Sequence, residues 1–479
     1  MQHTKQLIAG NWVDALAGGT RDLVDPATGS VIDQVAYGGG EDAGAAIDAA
    51  STALPDWRSL GPFARAEILM EAADLIAARA DELAVITTEE SGKPIAQSRA
   101  EWLSAPSYLR FAATEATRLG GRIIPSKVPG RRIEVTYSPV GVVGVIAAWN
   151  FPIYNVNRAA SSALAAGCTV VVRPSEYTPR SAFAYGQALT DAGVPAGVIN
   201  VVNGDAGAIA QTMLDDGRVR KMQFTGSSRV GRILMDGASR TITKLSLELG
   251  GNAPVIVMPD VADLSAVVAG GVTAKYRNGG QACIAPQRFI VHESIAPRFI
   301  ELATERTAAL VVGDPALRAT DVGPIINEVQ RDRIDRIVSE SVDTGGRVTT
   351  GGTRLDGSGF FFAPTVITGD LAGTPVMTEE VFGPVLPITT FADVDEALVI
   401  ANSVEDGLSA FVWTTDLATA FTVADELEFG MVGINDWYPV AAEAPFGGVK
   451  RSGLGRESGT EGLLEYLEPQ TRYIGGLTR

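Results

Sequence analysis

The chain has 479 residues and carries 39 Lys and Arg against 56 Asp and Glu, which gives a net charge of −17 and a pI near 4.7. This acidic balance disfavours a nucleic-acid partner or an anionic membrane surface, and the length predicts about three domains of ordinary size. The two histidines, His3 and His292, and the two cysteines, Cys168 and Cys283, are too few for a Cys-rich zinc site, a disulfide framework or a multi-histidine metal centre.

The N-terminal residues show no targeting signal. The segment MQHTKQLIAGNW lacks the apolar region of a signal peptide. The longest apolar run, Val140 to Trp149, contains two glycines and is far shorter than the roughly 18 residues that span a bilayer. We therefore expect a reduced, soluble, cytoplasmic protein without a membrane partner.

Periodic patterns predict two α/β blocks. Residues 65–86 place apolar side chains at helical spacing, whereas β-branched runs at 134–149, 168–174 and 197–204 end at Gly or Pro. Alternation of such runs from 140 to 257 favours a mostly parallel sheet covered by helices. A second block with the same alternation runs from 253 to about 434 and predicts a second α/β domain.

Two segments have a strand-like pattern without an intervening helix. They are residues 122–138 and 465–479, and we expect them to form a separate small β element.

Two stretches suit phosphate binding at a strand-to-helix turn. Gly38, Gly40 and Ala43 form the only G-x-G-x-x-[GA] match, but no strand ending in an acidic residue follows about 20 residues later, so we interpret it as a simple turn. The run KMQFTGSSRVG, residues 221–231, is a stronger cue, since backbone N–H groups at such a helix start can hold a phosphate. An ordinary turn remains the alternative there. Walker A and G-x-S-x-G motifs are absent.

Two residues are candidates for covalent and acid-base chemistry. Cys168 lies in an apolar run and is predicted to be core, whereas Cys283 lies between glycines and a proline. Without a histidine partner, Cys283 is a nucleophile candidate of modest standing. Glu248 stands between apolar residues before Gly-Gly, so it is either a desolvated general base or the end of an element facing water.

These cues coincide with one family. The motifs, in order, are WNFP (149–152), RPSEYTP (173–179), FTGSSRVG (224–231), LELGG (247–251), GGQAC (279–283), EEVFGPV (379–385) and PFGGVKRSG (445–453). Together they resemble the signatures of NAD(P)-dependent aldehyde dehydrogenases over nearly the whole chain. The resemblance implies an α/β fold with a Rossmann-type cofactor domain that does not use G-x-G-x-x-G, an α/β catalytic domain and a small β oligomerisation element.

The resemblance also implies domain boundaries and assembly. Residues 1–121 and 141–251 correspond to the cofactor domain, 252–445 to the catalytic domain and 446–464 to a segment that returns to the first. Residues 122–140 and 465–479 correspond to the oligomerisation element. A homodimer or homotetramer is expected, because edge strands of this kind need a partner.

By resemblance, the substrate is a small-molecule aldehyde and no metal takes part. Cys283 attacks the aldehyde as a thiolate, and the oxyanion is held by the Asn150 amide and the Cys283 N–H. Hydride transfer to the nicotinamide leaves a thioester, which water activated by Glu248 hydrolyses to a carboxylic acid.

The resemblance carries a set of cofactor-binding positions: Trp149, Arg173, Ser175, Glu176, Gly226, Ser227, Gly231, Leu249, Glu380 and Phe382. Arg173 stands where the family usually has Lys, and its guanidinium is larger and differently directed. Glu176 resembles the acidic residue of NAD-preferring members and would repel a 2′-phosphate. We therefore expect NAD, with NADP possible.

Substrate-binding positions follow from one branch of the family. Arg158, eight residues after Asn150, and Arg288, five after Cys283, resemble arginines that bind the distal carboxylate in succinate-semialdehyde and 2-oxoglutarate-semialdehyde dehydrogenases. A structural Arg158 and a surface or strand-edge Arg288 are the alternatives. Val440 and Ala441 stand where succinate-semialdehyde enzymes tend to have serine.

Three alternatives to a semialdehyde dehydrogenase stay open. Trp437 and Tyr438, close to Val440 and Ala441, could favour a longer or aromatic neutral aldehyde. A catalytically silent paralogue is disfavoured because Cys283, Glu248 and Asn150 occur together. An acylating, coenzyme-A-dependent enzyme is disfavoured because Glu248 suits hydrolytic deacylation.

Overall fold

The structure is a computed structural model that describes residues 4–476, so His3 lies outside the described residues. The strands in chain order are β1 (Gln6–Ile8), β2 (Asn11–Val13), β3 (Thr20–Val24), β4 (Val31–Ala36), β5 (Arg122–Ile124), β6 (Arg132–Pro139), β7 (Val142–Ile146), β8 (Thr169–Arg173), β9 (Ile199–Val201), β10 (Val219–Thr225), β11 (Lys244–Glu248), β12 (Ala253–Val257), β13 (Pro286–His292), β14 (Gly346–Thr350), β15 (Thr365–Gly369), β16 (Val385–Phe391), β17 (Asp406–Gly407), β18 (Ser409–Trp413), β19 (Met431–Ile434), β20 (Val449–Lys450), β21 (Gly453–Leu454) and β22 (Leu467–Ile474).

The helices connect and cover these strands. In chain order they are α1 (Gly40–Ser59), α2 (Gly61–Ala78), α3 (Ala80–Ser91), α4 (Ile95–Arg118), α5 (Pro152–Ala166), α6 (Pro179–Asp191), α7 (Ala206–Asp215), α8 (Ser228–Ser239), α9 (Leu264–Tyr276), α10 (Ala296–Ala308), α11 (Glu328–Asp343), α12 (Pro375–Thr378), α13 (Val394–Asn402), α14 (Leu417–Glu426) and α15 (Gly459–Leu464). No helix among residues 4–476 is both long and apolar enough to cross a membrane.

The first sheet has the order β2-β1-β9-β8-β7-β10-β11-β21. Its strands from β9 to β11 are parallel, and the edge strand β21 pairs antiparallel with β11. Every residue of β7 and β8 is buried, as expected for strands with helices on both faces. The alternation predicted between residues 140 and 257 is confirmed, and Cys168 lies in the core of this half.

The second sheet has the order β14-β15-β16-β13-β12-β18-β19 and is parallel except for β14. It confirms the second predicted α/β block. The chain passes from the first sheet to the second through the short segment 249–252 between β11 and β12, and it returns to the first sheet at β21.

A third sheet, β22-β6-β5, pairs the two segments that were predicted to form a separate β element. β22 runs antiparallel to β6 from Leu467 opposite Pro139 to Ile474 opposite Arg132. β5 pairs with the other edge of β6. The proposed role of this sheet in assembly stays a prediction.

The single helix suggested by residues 65–86 is two helices. α2 ends at Ala78 and α3 begins at Ala80, because Arg79 leaves the helical region at φ −100° and ψ 6°. Buried apolar residues continue on both sides of this bend. A hydrophobic pattern that continues through a bend does not show where the bend lies.

Candidate active site

Two cavities meet at Cys283 and Asn150, which line both. One, of about 320 Å³, is lined by arginine and aromatic side chains, and we call it the arginine cavity. The other, of about 440 Å³, lies beside the ends of β10 and β11, and we call it the sheet-edge cavity. A molecule in either cavity therefore has access to the same thiol.

Cys283 follows a tight turn at the end of α9. Asn278, Gly279 and Gly280 in this turn all have positive φ, at 52°, 61° and 73°. Burial raises the pKa of the Cys283 thiol to about 12, an effect that the positive charge of Arg158 opposes. The free thiol is therefore protonated at neutral pH and has to lose its proton before it can attack a carbonyl group.

Asn150 is held beside the thiol by three hydrogen bonds. Its Nδ2 donates to the carbonyl oxygen of Gln281 at 3.1 Å. Its Oδ1 accepts from Nδ2 of Asn155 at 3.2 Å, and its own carbonyl oxygen accepts from Nδ2 of Asn278 at 2.8 Å. The amide that the sequence analysis assigned to an oxyanion is thus fixed next to Cys283.

Glu248 ends β11 and lines the sheet-edge cavity. The side chain is buried, and neither carboxylate oxygen has a hydrogen-bond partner within the described residues. Burial, with a further contribution from the negative charge of Glu457, raises the pKa of Glu248 well above its ordinary value. Of the two interpretations left by the sequence, the structure supports the desolvated carboxyl group.

A buried ion pair includes Arg158, which lines the arginine cavity. Nε of Arg158 is 3.0 Å from Oε2 of Glu457, and Oε1 of Glu457 accepts from Nε2 of Gln223 at 2.9 Å. The Arg158 guanidinium also lies over the ring of Phe446, 3.9 Å from its centroid. Glu457 was missed by sequence reasoning, because nothing in GRESG shows that this carboxylate packs against α5.

The starts of α5 and α6 are already occupied by buried carboxylates. Oε1 of Glu101 accepts from the N–H groups of Ile153 and Tyr154 in α5. Glu90 accepts in the same way from the N–H groups of Arg180 and Ser181 in α6. These helix ends therefore do not offer the anion site that a helix start usually provides.

α8 begins differently. Only the Ser227 hydroxyl caps it, accepting from the N–H of Val230 at 3.4 Å, and within residues 4–476 no carboxylate does. Gly226 and Ser227 line the sheet-edge cavity, so the positive end of α8 faces that cavity. A phosphate group would fit here for the reason that the sequence suggested.

The ten predicted cofactor positions divide into two groups. The lining of the sheet-edge cavity includes Trp149, Gly226, Ser227, Leu249, Glu380 and Phe382. Arg173, Ser175, Glu176 and Gly231 are outside that lining. Gly231 acts indirectly, because a Cβ there would come within 2.9 Å of the Leu249 side chain, so glycine lets α8 pack against this residue.

Arg173, the last residue of β8, forms an ion pair with Glu176, which follows the strand. Nη2 of Arg173 donates to Oε2 of Glu176 at 2.8 Å and to the carbonyl oxygen of Gly204 at 2.9 Å. Nε of Arg173 is buried without a partner within the described residues. This pair lies at the same carboxyl edge of the sheet as Ala147, whose N–H donates to the Arg173 carbonyl oxygen.

Glu380 and Phe382 form the opposite wall of the sheet-edge cavity. Oε1 of Glu380 accepts from the Gly251 N–H at 2.9 Å, and burial raises the pKa of this carboxyl group to about 7. The Phe382 ring packs edge-on against Trp149 with centroids 5.4 Å apart. Arg333 donates to the carbonyl oxygens of Glu380 and Val381, which holds this wall in place.

The arginine cavity contains Arg158 and also an arginine that sequence reasoning missed, Arg277. Arg277 stands six residues before Cys283 in YRNGGQAC, whereas the arginine predicted near this cysteine, Arg288, follows it. Its guanidinium lies 5.0 Å from the Phe151 ring centroid. The predicted loop residues Val440 and Ala441 line this cavity too, beside Trp437 and Tyr438.

The predicted role of Arg288 in substrate binding is wrong. Its side chain is fully buried in β13 and donates to the carbonyl oxygens of Asn252, Ile400 and Ala401. It lines neither cavity. Adjacent strand residues point to opposite faces of a sheet, and the side of the sheet on which Arg288 lies could not be read from its distance to Cys283.

Comparisons with known proteins agree with this geometry. The model of the aldehyde dehydrogenase family matches residues 12–472. The NADP(+) succinate-semialdehyde dehydrogenase GabD of Escherichia coli is 41% identical over 98% of this chain and 97% of its own. Glutarate-semialdehyde dehydrogenase of Pseudomonas aeruginosa is 40% identical over 98% and 97%. The crystal structure of succinate-semialdehyde dehydrogenase from Burkholderia pseudomallei superposes with a TM-score of 0.96 at 40% identity, covering 98% of both chains.

Replacing Glu457 by Gln is expected to lower the pKa of Glu248. The substitution removes the negative charge that disfavours ionisation of Glu248 and leaves the Arg158 cation to favour it. Infrared difference titration of protonated carboxyl groups measures the shift, and the Glu248 band is assigned by its loss in Glu248→Gln. Glu465→Gln is the control, since Glu465 binds Lys221 and Ser246 instead. Identical titration of Glu248 in wild type and Glu457→Gln would contradict the assignment.

Proposed function

Because the chain belongs to the aldehyde dehydrogenase family, we propose that it oxidises an aldehyde with a distal carboxylate to the corresponding acid, using a nicotinamide dinucleotide. The observation that carries the proposal is the position of Cys283 and Asn150 between an arginine-lined cavity and a cavity at a free helix start. The first suits an anionic substrate and the second a phosphate-containing cofactor.

The sheet-edge cavity fits a dinucleotide. Gly226 and Ser227 at the start of α8 would hold a phosphate, and Arg173 with Glu176 would bind a ribose at the sheet edge. Glu380 and Phe382 would position the end that lies near Cys283. When bound, the dinucleotide supplies the two-electron acceptor that the oxidation needs.

Cys283 is the proposed nucleophile. As a thiolate it adds to the aldehyde carbon and forms a thiohemiacetal, whose oxygen receives hydrogen bonds from Nδ2 of Asn150 and from the Cys283 N–H. Nδ2 of Asn150 is already directed toward this loop by its bond to Gln281. Oxidation of this adduct leaves a thioester on Sγ of Cys283.

Glu248 is the proposed base for the second half of the reaction. It shares the sheet-edge cavity with Cys283 and has two oxygens that no protein donor occupies. In its ionised form it accepts a proton from water, which attacks the thioester and releases the acid. The raised pKa of Glu248 makes it a stronger base than an exposed carboxylate.

Loss of the thiol is expected to abolish turnover. Cys283→Ala lowers kcat for reduction of the dinucleotide by at least about a thousandfold, because no covalent intermediate forms. Glu248→Gln retains acylation but slows hydrolysis, so protein quenched during turnover should carry the acyl group, and mass spectrometry of its peptides should locate that group on the one that contains Cys283. An acyl group on another residue, or turnover retained by Cys283→Ala, would overturn the proposed mechanism.

The charge in the arginine cavity supports a substrate carboxylate. Arg158 is paired with Glu457, whereas Arg277 is half-buried and no carboxylate of the described residues pairs with it. An uncompensated guanidinium in a partly desolvated cavity binds a carboxylate by charge-assisted hydrogen bonds. We therefore propose succinate semialdehyde as the substrate, with glutarate semialdehyde or 2-oxoglutarate semialdehyde as longer alternatives.

One observation favours a second candidate. Phe151, Tyr154, Trp437 and Phe446 line the same cavity. These rings would also accept a neutral aliphatic or aromatic aldehyde without an ionic contact.

The two candidates separate on one substitution. Arg277→Ala is expected to raise KM for succinate semialdehyde about 10- to 100-fold, the loss of a hydrogen bond to a charged group, while KM for butanal changes little. Arg277→Lys keeps the charge and should give an intermediate KM. Steady-state kinetics with both aldehydes measures this, and equal effects on the two would favour the neutral substrate.

We also propose a preference for NAD over NADP, although the Escherichia coli relative carries NADP(+) in its name. A carboxylate at Glu176 accepts hydrogen bonds from ribose hydroxyl groups and repels a 2′-phosphate. It also neutralises Arg173, to which it is bonded. Both effects disfavour NADP.

Removal of the Glu176 carboxylate should reverse this preference. Glu176→Gln raises kcat/KM with NADP relative to NAD, because the repulsion disappears and the Arg173 cation becomes available to the phosphate. Initial rates with each dinucleotide give the ratio. Glu89→Gln, which removes an exposed carboxylate bonded to Arg180, is the matched control. A wild-type enzyme that already uses NADP more efficiently would contradict the preference.

The β22-β6-β5 sheet supports a homo-oligomer. Ile123 in β5 and Tyr473 in β22 expose about two thirds of their surface, at 67% and 65%. Exposed apolar side chains on edge strands are typical of surfaces that a second copy covers. We propose that this sheet makes the contacts of a dimer or tetramer.

A further inference from the structure

The turn before Cys283 is conformationally demanding. Asn278 has φ 52° and ψ 34°, a left-handed conformation that costs a residue with a Cβ atom energy, and two glycines with positive φ follow it. Such a turn persists only where surrounding contacts hold it. Because Cys283 lies only three residues after Gly280, the position of its thiol depends on the contacts that hold this turn.

One contact comes from the other half of the molecule. Oε1 of Gln97, in α4, accepts a hydrogen bond from the Asn278 N–H at 2.7 Å. Nε2 of the same side chain donates to the carbonyl oxygen of Asp321 at 3.0 Å. The Gln97 amide therefore spans from the turn to the segment 321–326.

A second amide spans the same gap from the inside. Nε2 of Gln281 donates to the carbonyl oxygens of Asn278 and Pro324, at 2.9 and 3.3 Å. Its Oε1 accepts from the Ile326 N–H at 2.9 Å. Gln97 and Gln281 thus hold the turn against one segment from two sides.

The same turn also holds Asn150 and the loop that carries Cys283. Nδ2 of Asn278 donates to the carbonyl oxygens of Asn150 and Gln281, and Nδ2 of Asn150 donates to the same Gln281 oxygen. A shift of Asn278 therefore displaces both the oxyanion donor and the loop that carries Cys283. Gln97 touches neither group itself.

We propose that Gln97 is a positioning residue that holds the left-handed turn at Asn278 and thereby fixes Cys283 relative to Asn150. The inference rests on the proposed function, since the relevant position is that of the nucleophile. A displacement of about 1 Å at a reacting atom is enough to slow catalysis by up to about 100-fold. Because Cys283 is only partly exposed in this arrangement, release of the turn should make its thiol more accessible to solvent.

The test compares three variants by turnover and by thiol alkylation. Gln97→Met keeps the length of the side chain but removes both hydrogen bonds, and is expected to lower kcat about tenfold or more with KM for the aldehyde nearly unchanged. Gln97→Glu keeps the acceptor for the Asn278 N–H and should retain kcat within about threefold. Gln187→Met is the matched control, since Gln187 is also half-buried and accepts from Nε1 of Trp12 far along the chain from the turn.

The second measurement is the rate at which iodoacetamide alkylates Cys283, followed by mass spectrometry of the peptide that contains this residue. This rate is expected to rise where kcat falls. In Gln97→Met it should be faster than in wild type at pH 7, although turnover is slower, because burial no longer raises the pKa of the thiol as far. Unchanged kcat and alkylation in Gln97→Met, or the same changes in Gln187→Met, would overturn the proposal. Alkylation needs no turnover, so it tests Gln97 separately from Cys283→Ala, which tests the proposed function.

Discussion

The candidate site depends on one buried cation. Arg158 pairs with Glu457, stacks on Phe446 and lowers the pKa of both Cys283 and Glu248 by its charge. Two buried carboxyl groups and a thiol otherwise surround this position, and each of them would resist ionisation in a medium of low dielectric constant. The Arg158 guanidinium therefore partly offsets the burial that disfavours ionisation of both groups, whatever it contributes to substrate binding.

The charge around the sheet-edge cavity follows from a similar distribution of buried groups. In an open α/β sheet, several helix starts point to the same edge and each attracts an anion. Here α3 and α4 supply Glu90 and Glu101, which occupy the starts of α6 and α5. The start of α8 is left for an external anion, and this supports the proposal of a phosphate-binding turn at Gly226 rather than at the G-x-G-x-x-[GA] match near Gly38.

The α3–α4 connection also links the two halves. Glu101 forms an ion pair with Lys93 and holds the first turn of α5, two residues after Asn150. Gln97, one turn earlier in α4, reaches the turn before Cys283. A single helical hairpin thus contacts the first turn of α5, close to Asn150, and the turn before Cys283, so small changes in its packing would act on both.

The sequence pattern predicted the features that depend on residues close together in the chain. Runs of β-branched residues closed by Gly or Pro indicated the strands of both sheets, and the contrast between Cys168 in an apolar run and Cys283 among glycines separated the core thiol from the candidate nucleophile. The phosphate cue at Gly226 was equally local, because a strand, a glycine and a helix start follow one another in the chain.

Only the tertiary structure determined which segments that are distant in sequence lie next to each other. Arg288 is near Cys283 in the chain, but its side chain donates to the carbonyl oxygens of Asn252, just before β12, and of Ile400 in α13. Arg277 instead lines the arginine cavity. Glu457 acquires its role only because α5 passes beside it, 299 residues after Arg158. Charge and burial act through space, and a sequence records only the order in which the charges occur.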